Sequence, residues 1–389
     1  MTEPFGTLNP SPRLLLGPGP SQISPRVLRA CATPLLGYLD PEYVILMDET
    51  QTLLRKAFQT ENEWTFCAPG TGMAGMEAAL INVLEPGDPV IVCVHGIFGE
   101  RMVEIARRCG AVVTRVDADW GEAIRPEQVA QALEQTKAKA VAIVHAETST
   151  GVLQPLREIS DIAHDHGALL VVDGVTSLGG VPIGVDELGI DVVYSGTQKC
   201  VGAPPSLAPM SFSPAAVQAY QQRSTPVQSF YLDAGQIWRY WGPERAYHQT
   251  GMINMVYALR EALLELEQEG LERRFARHRR NQQALIAGCE AMGLVPLVKN
   301  PALRLPPLTT IMIPDGADDK AVRGALITEY GIEIGGGLGK FAGRAWRIGL
   351  MGYASQQANV MLLLSALGDV LKNERVDEAL SAASAVYAK

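Results

Sequence analysis

Several features that would settle the class of this chain are missing from it. No apolar run reaches the roughly eighteen residues that a membrane span requires. The opening residues show no basic start followed by an apolar core, so no signal peptide is expected. Basic residues are outnumbered, with 33 Lys and Arg against 42 Asp and Glu, a formal charge of −9. With no basic cluster and no acidic tail, neither nucleic acid nor an anionic membrane is expected as a partner. The six cysteines (31, 67, 93, 109, 200 and 289) never fall at CxxC or CxxH spacing. They read as reduced thiols, with no disulfide frame and no metal site. The C-terminal Tyr387-Ala388-Lys389 is no peroxisomal address, so the cytoplasm is the expected compartment.

What is present is a globular composition, 47% hydrophobic and 19% charged over 389 residues, long enough for two packed domains. Residues 1–22 are rich in Pro and Gly and are expected as an extended arm laid over a neighbour. Short apolar runs follow at 64–68, 90–94, 111–117, 140–145, 169–173, 192–195 and 207–212, with helix-length segments at 73–84, 98–109, 126–133 and 159–166. Near-continuous apolar strands alternating with helices imply an α/β domain, a mostly parallel central sheet with helices on both faces, assigned to 23–265. The pattern then changes to helices near 256–266 and 272–292, strands at 309–313 and 345–350, and a helix from about Gln356 with Ser355 as its N-cap. Residues 266–389 therefore read as a smaller α+β C-terminal domain.

Three clusters carry chemistry. Gly70-Thr71-Gly72-Met73-Ala74-Gly75 is a GxGxxG after a strand and before a helix, where backbone amides and the helix dipole suit an anion. A dinucleotide site would also need an acid at the end of the next strand, and that strand ends in His95-Gly96, so a phosphate loop survives and a dinucleotide site does not. The same glycines could also be a turn without a ligand. Asp173 closes the apolar strand 169–173, and Lys199 follows the strand 192–195 in Tyr194-Ser195-Gly196-Thr197-Gln198-Lys199-Cys200. Strand carboxyl ends are where open α/β sheets bind ligands. An acid and a lysine there could simply pair, but with the phosphate loop they meet the needs of pyridoxal 5′-phosphate: an amine for a Schiff base, an acid for the pyridine nitrogen and an anchor for the phosphate. Lys199, once freed, is also the natural base for the substrate's α-proton.

With these residues in view the chain resembles the class V (fold-type I) aminotransferases, most closely the alanine–glyoxylate and serine–pyruvate enzymes, over about residues 14–371. The markers are Leu16-Gly17-Pro18-Gly19-Pro20-Ser21, the segment 70–74 followed by Glu77-Ala78-Ala79, Ala146-Glu147-Thr148-Ser149-Thr150-Gly151, the Asp173 strand, Ser195-Gly196-Thr197-Gln198-Lys199, Tyr247-His248-Gln249-Thr250 and Trp346-Arg347-Ile348-Gly349-Leu350. The resemblance implies the following roles. Lys199 is the Schiff-base lysine, and Asp173 the partner of the pyridine nitrogen. Thr71, Gly72, Met73 and Gln198 hold the phosphate, with Tyr247 and Thr250 reaching it from the other subunit of a homodimer. Phe98 stacks on one face of the ring, Val175 closes the other, and Thr148 lies at the ring's hydroxyl edge. Arg347 clamps the substrate carboxylate, Gly19 lies at the substrate, and Tyr38 comes from the partner subunit to narrow the pocket.

Each residue also has a plainer role available. Phe98 could be core, Arg347 a bridging arginine, Cys200 a small buried hydrophobe, and His95 and His145 structural. The expected reaction is ping-pong transfer of an amino group from alanine or serine to glyoxylate or pyruvate. The runner-up is (S)-ureidoglycine–glyoxylate exchange, with serine–glyoxylate transfer or a cysteine desulfurase-like activity further behind. Gln249 stands where close relatives often carry a second His. An NAD-dependent dehydrogenase would leave Asp173, Lys199 and Arg347 without work.

Overall fold

The computed structural model describes residue 6 and residues 8–389; residues 1–5 and 7 of the expected arm lie outside the described residues. Seven runs, most of them rich in valine, isoleucine and other apolar residues, form one sheet: β1 (Trp64–Pro69), β2 (Pro89–Val94), β3 (Val112–Asp117), β4 (Ala140–Val144), β5 (Leu169–Asp173), β6 (Val192–Tyr194) and β7 (Leu207–Phe212). All but β3 are almost wholly buried, as strands covered on both faces must be. The strand order is β1-β7-β6-β5-β4-β2-β3. Neighbours from β6 to β3 run parallel, while β7 is antiparallel to both β6 and β1. Two reversals restore direction, so β1, β2, β4, β5 and β6 all end on the same edge of the sheet. Helices α1 (Gly72–Val83) and α2 (Ile97–Arg108) leave from that edge directly after β1 and β2.

The C-terminal part is built on a second sheet, β8 (Val295–Pro296), β9 (Leu308–Met312), β10 (Gly335–Gly336) and β11 (Ala345–Gly349), in the antiparallel order β8-β9-β11-β10. Two long helices, α3 (Ile253–Glu269) and α4 (Leu271–Ala291), meet at Gly270. The apolar face of α3 joins the core of the large sheet through Val256, Leu259, Leu263 and Leu266. That of α4 joins a separate core through Leu285 and Cys289, together with Ile311, Trp346 and Leu363. Helices α5 (Gln357–Val370) and α6 (Val376–Tyr387) complete this part, α6 lying along α4.

The segment 14–21 of the expected arm is stitched to its own chain: Leu14 and Leu15 pair with Ile332 and Glu333, and Leu16 is fully buried in the second core. One expectation is corrected. Ser355 is not a helix cap. The helix starts two residues later, and the Ser355 hydroxyl is buried, accepting from Asn281 Nδ2 at 3.0 Å. Among the described residues no helix is long and apolar enough to cross a membrane. All six cysteines are free thiols, five of them buried.

Candidate active site

The shared carboxyl edge of the large sheet collects the chemistry. Asp173 is the last residue of β5 and Tyr194 the last of β6, and the two are direct partners in the ladder. That register lets the Tyr194 hydroxyl donate to Asp173 Oδ2 at 2.9 Å, while Val175 N–H donates to Oδ1 at 2.9 Å. The carboxyl group is thus aimed by two donors while keeping lone pairs for a third. Burial pushes its pKa up to about 6, opposed by those two hydrogen bonds and by Lys199.

Lys199 lies in the turn after β6, and the glycine- and proline-rich N-terminal segment holds it there. Ser21 N–H donates to Gln198 O at 2.8 Å and the Ser21 hydroxyl to Lys199 O at 2.7 Å. The lysine amine donates to Pro18 O. Gly19, at φ 112°, passes so close that a Cβ there would stand 2.7 Å from Lys199 Nζ, which is why this position takes no side chain. Desolvation, reinforced by the Arg347 charge, lowers the lysine pKa to about 8, so far more of the amine is neutral near pH 7 than in an exposed lysine.

The glycine-rich turn after β1 leads straight into α1, whose first residue is Gly72, with Thr71 at the N-cap making no side-chain cap bond. The first amides of a helix have no intrahelical acceptor, so this end offers donors and a positive dipole. Gln198 Oε1 is buried nearby without a partner among the described residues. A cleft of about 200 Å³ opens here, lined by Thr71, Gly72, Met73, Phe98, Thr148, Asp173, Val175, Gln198 and Lys199, together with Met76, Arg101, Val144, Ala146 and Thr176.

Arg347 approaches from the middle strand β11 of the second sheet. Its Nε donates to Gly336 O at 2.8 Å and its Nη1 to Thr148 O at 3.2 Å, while Nη2 has no protein partner among the described residues. Burial lowers its pKa only to about 10, so it stays cationic at neutral pH. Tyr38, Tyr247 and Thr250 are not brought to the cleft. They lie exposed on the surface of the same chain, the Tyr38 and Tyr247 rings 5.1 Å apart.

Four contributors were not assigned from the sequence. Tyr194 aims Asp173. Arg101 lines the cleft with its guanidinium 5.0 Å from the centre of the Phe98 ring. Glu147 and Ser149 form a buried acid–hydroxyl pair behind the cleft, at 2.6 Å. The last pair stood in the marker 146–151 without a role, and its local signal was Gly96, the residue before α2, which has no side chain to cap a helix. Cys200 is buried with its thiol pushed up to about 12, and His95 and His145 are buried with their pKa values lowered to about 4, so all three are neutral near pH 7.

A desolvated amine, a buried carboxyl group, a helix start with free amides and a free guanidinium edge around one cleft form a set suited to moving amino groups. A family model described as aminotransferase class-V matches residues 14–357. The chain belongs to the class V aminotransferases. Among its relatives, the (S)-ureidoglycine–glyoxylate transaminase of Bacillus subtilis is 39% identical, aligned over 96% of this chain and 95% of its own. The alanine–glyoxylate aminotransferase of Callithrix jacchus is 42% identical over 93% of this chain and 88% of its own. Among solved structures, an alanine–glyoxylate aminotransferase from Nostoc sp. superposes with a TM-score of 0.93 at 47% identity, covering 94% of this chain and 97% of that one. The ureidoglycine–glyoxylate aminotransferase of Bacillus subtilis superposes with a TM-score of 0.96 at 40% identity, covering 99% of this chain and 100% of that one. This aminotransferase thus shares its α/β fold with the family over nearly its whole length, and it is a transaminase.

Proposed function

We propose that this transaminase works with pyridoxal 5′-phosphate and transfers the amino group of a small L-amino acid, alanine or serine, to glyoxylate or pyruvate. The observation that carries the reading is the meeting of a desolvated lysine amine and a buried, doubly hydrogen-bonded carboxylate across one cleft whose far side is a helix start. The residues present fit the cofactor. Gln198 offers an orphaned buried oxygen, and Gly72 packs so closely on Val175, where a Cβ would lie 2.9 Å from Cγ2, that the backbone alone lines that wall.

Pyridoxal phosphate supplies an aldehyde that takes up amines and a ring that withdraws electrons from them. The rest is the work of the chain. Lys199 would give the amine that holds the cofactor, and its Nζ, when free, would be the base for the proton on the donor's α-carbon. Asp173, aimed by Tyr194 and Val175, would keep the ring nitrogen protonated. Phe98 and Val175 would flank the ring, Thr148 would stand at its hydroxyl edge, and Thr71, Gly72, Met73 and Gln198 would hold the phosphate. Arg347 presents Nη2 to the substrate carboxylate, with Gly19 leaving room beside Lys199. Tyr38, Tyr247 and Thr250 serve the cleft of a second copy of the chain in a homodimer, which accounts for their distance from their own.

The relatives named for alanine–glyoxylate exchange support the small-substrate reading, and a pocket for such substrates needs no charged partner beyond Arg347. Full-length similarity to an enzyme named for ureidoglycine–glyoxylate exchange supports the second reading. The test is the visible spectrum of the purified holoenzyme mixed with L-alanine, L-serine or ureidoglycine, each without acceptor. A yellow band bleached by alanine or serine is expected. Bleaching by ureidoglycine alone moves the assignment to the second reading, and a chain that stays colourless with added pyridoxal phosphate overturns the cofactor.

A further inference from the structure

Helix α2 starts without a local cap: its N-cap residue is Gly96, and no side chain from that position bonds the first turn. Its leading amides are nonetheless satisfied from fifty residues away. Ile97 N–H donates to Ser149 Oγ at 2.9 Å and Phe98 N–H to Glu147 Oε2 at 3.2 Å. Ser149 turns back on the same acid, its N–H and hydroxyl donating to Glu147 Oε1 at 3.0 and 2.6 Å. A Cβ on Gly96 would stand 2.3 Å from Glu147 Cδ, so the missing local cap makes room for the remote one.

The Glu147 side chain is fully buried. Backbone N–H groups donate to both carboxyl oxygens, and among the described residues the Ser149 hydroxyl, already accepting from Ile97 N–H, is the one partner that could take a carboxyl proton, so the hydrogen-bond pattern favours the ionised form. Burial works against this and pushes the pKa up to about 7, while the three donated hydrogen bonds pull it down. The positive end of α2 favours the anion further. The adjoining residue, Thr148, lines the cleft, and its carbonyl accepts from Arg347 Nη1. The segment 147–149 therefore ties together the turn that carries Phe98 and the guanidinium of Arg347.

We propose that Glu147 is a positioning residue of this transaminase: as a carboxylate it fixes the first turn of α2 so that Phe98 covers the cofactor ring, and it holds the Thr148 carbonyl against which Arg347 is set. The proposal rests on the reading of Phe98 as the cofactor's cover. A glutamine at 147 keeps the shape but must turn an N–H₂ toward either Phe98 N–H or Ser149 N–H, both of which are donors.

The test titrates the apo chain with pyridoxal phosphate and records the dissociation constant and the visible circular dichroism of the bound cofactor, beside KM and kcat. Glu147→Gln is expected to weaken cofactor binding about ten-fold, the size of effect lost with a charged hydrogen bond. It should also diminish the dichroism, and raise KM for donor and acceptor by a larger factor than it lowers kcat. Combined with Phe98→Ala, it should add nothing to the loss that Phe98→Ala causes alone. A folded Glu147→Gln chain with unchanged affinity, dichroism and KM overturns the proposal, as do losses that simply add. If Glu147→Gln does not fold, Ser149→Ala, which removes one donor to Glu147 and the acceptor of Ile97 N–H, must show the same pattern at about three-fold. Wild-type values there overturn the proposal. If Phe98→Ala leaves cofactor affinity untouched, the cover reading fails and the proposal with it. Glu147 failing alone is instead marked by a weakened Phe98→Ala beside an unaltered Glu147→Gln.

Discussion

The floor of the cleft and its outlying aromatic surface are built on opposite terms. On the floor, Asp173, Tyr194, Lys199 and the glycine-rich turn sit at the ends of buried strands, and each is held by bonds within its own chain. At the surface, Tyr247 is 58% exposed and Tyr38 36%, and neither touches the cleft of its own chain. In the proposed homodimer a second copy would complete such a site, with chemistry on the floor and retention and specificity at the surface.

Floor substitutions should therefore cost the most. Lys199→Ala is expected to lower kcat by about 10³-fold or more, because both the amine and the base are lost. The phosphate anchor uses other residues, so the chain should still bind pyridoxal phosphate in equilibrium dialysis. Wild-type turnover in that variant would remove the assignment. Asp173→Asn comes next, with about a 10²-fold fall in kcat, since the amide cannot keep the ring nitrogen protonated. Stopped-flow measurement of the half-reaction with L-alanine checks it. Arg347→Lys should raise KM for the amino donor roughly ten-fold while leaving the cofactor's absorption unchanged, because a lysine offers one point charge where the fork is needed. The smallest effect belongs to the surface: Tyr247→Phe is expected to weaken cofactor binding only about three-fold. Mixing Tyr247→Phe with Lys199→Ala chains sharpens the comparison, because sites shared between subunits would give mixed dimers one unaltered cleft and partial recovery of tight binding.

Proton linkage separates the same floor groups in the apo chain. The folded pKa of Asp173 is raised from 3.8 to about 6, so the folded state holds a proton that the unfolded chain has released between those values. Stability from this group is full below about pH 4 and is lost as pH rises through about 6. Across that window the denaturant midpoint of the wild type should fall relative to that of Asp173→Asn as pH rises, since the other buried groups titrate alike in both chains. For Lys199 the neutral amine is the reacting form, so the rate of pyridoxal phosphate capture by the apo chain should rise with pH and level off above about 8.

Much of this was legible before any coordinates. Strands buried on both faces declare themselves as unbroken apolar runs, and their ends mark the site in an open sheet, so Asp173, Lys199 and the turn at Gly70 were visible from spacing alone. The role of Tyr194 was not, because its bond to Asp173 exists only once β5 and β6 are neighbours in register. Glu147 and Ser149 were hidden for the same reason: a cap supplied from fifty residues away leaves only an uncapped glycine as its local trace. Ser355 misled in the opposite sense. A serine before a helix reads as a cap, but the side chain of Asn281 claims its hydroxyl first. The segment 14–21 had the composition of a loose arm, and only the edge strand at Ile332 and the pocket for Leu16 show where it is fastened.

The central claim is that Lys199 carries the cofactor, and borohydride reduction of the holoenzyme followed by peptide mass mapping tests it most directly. The account expects a single phosphopyridoxyl adduct on the peptide that contains Lys199, absent from Lys199→Ala. An adduct on any other lysine, or none from a yellow protein, would contradict it.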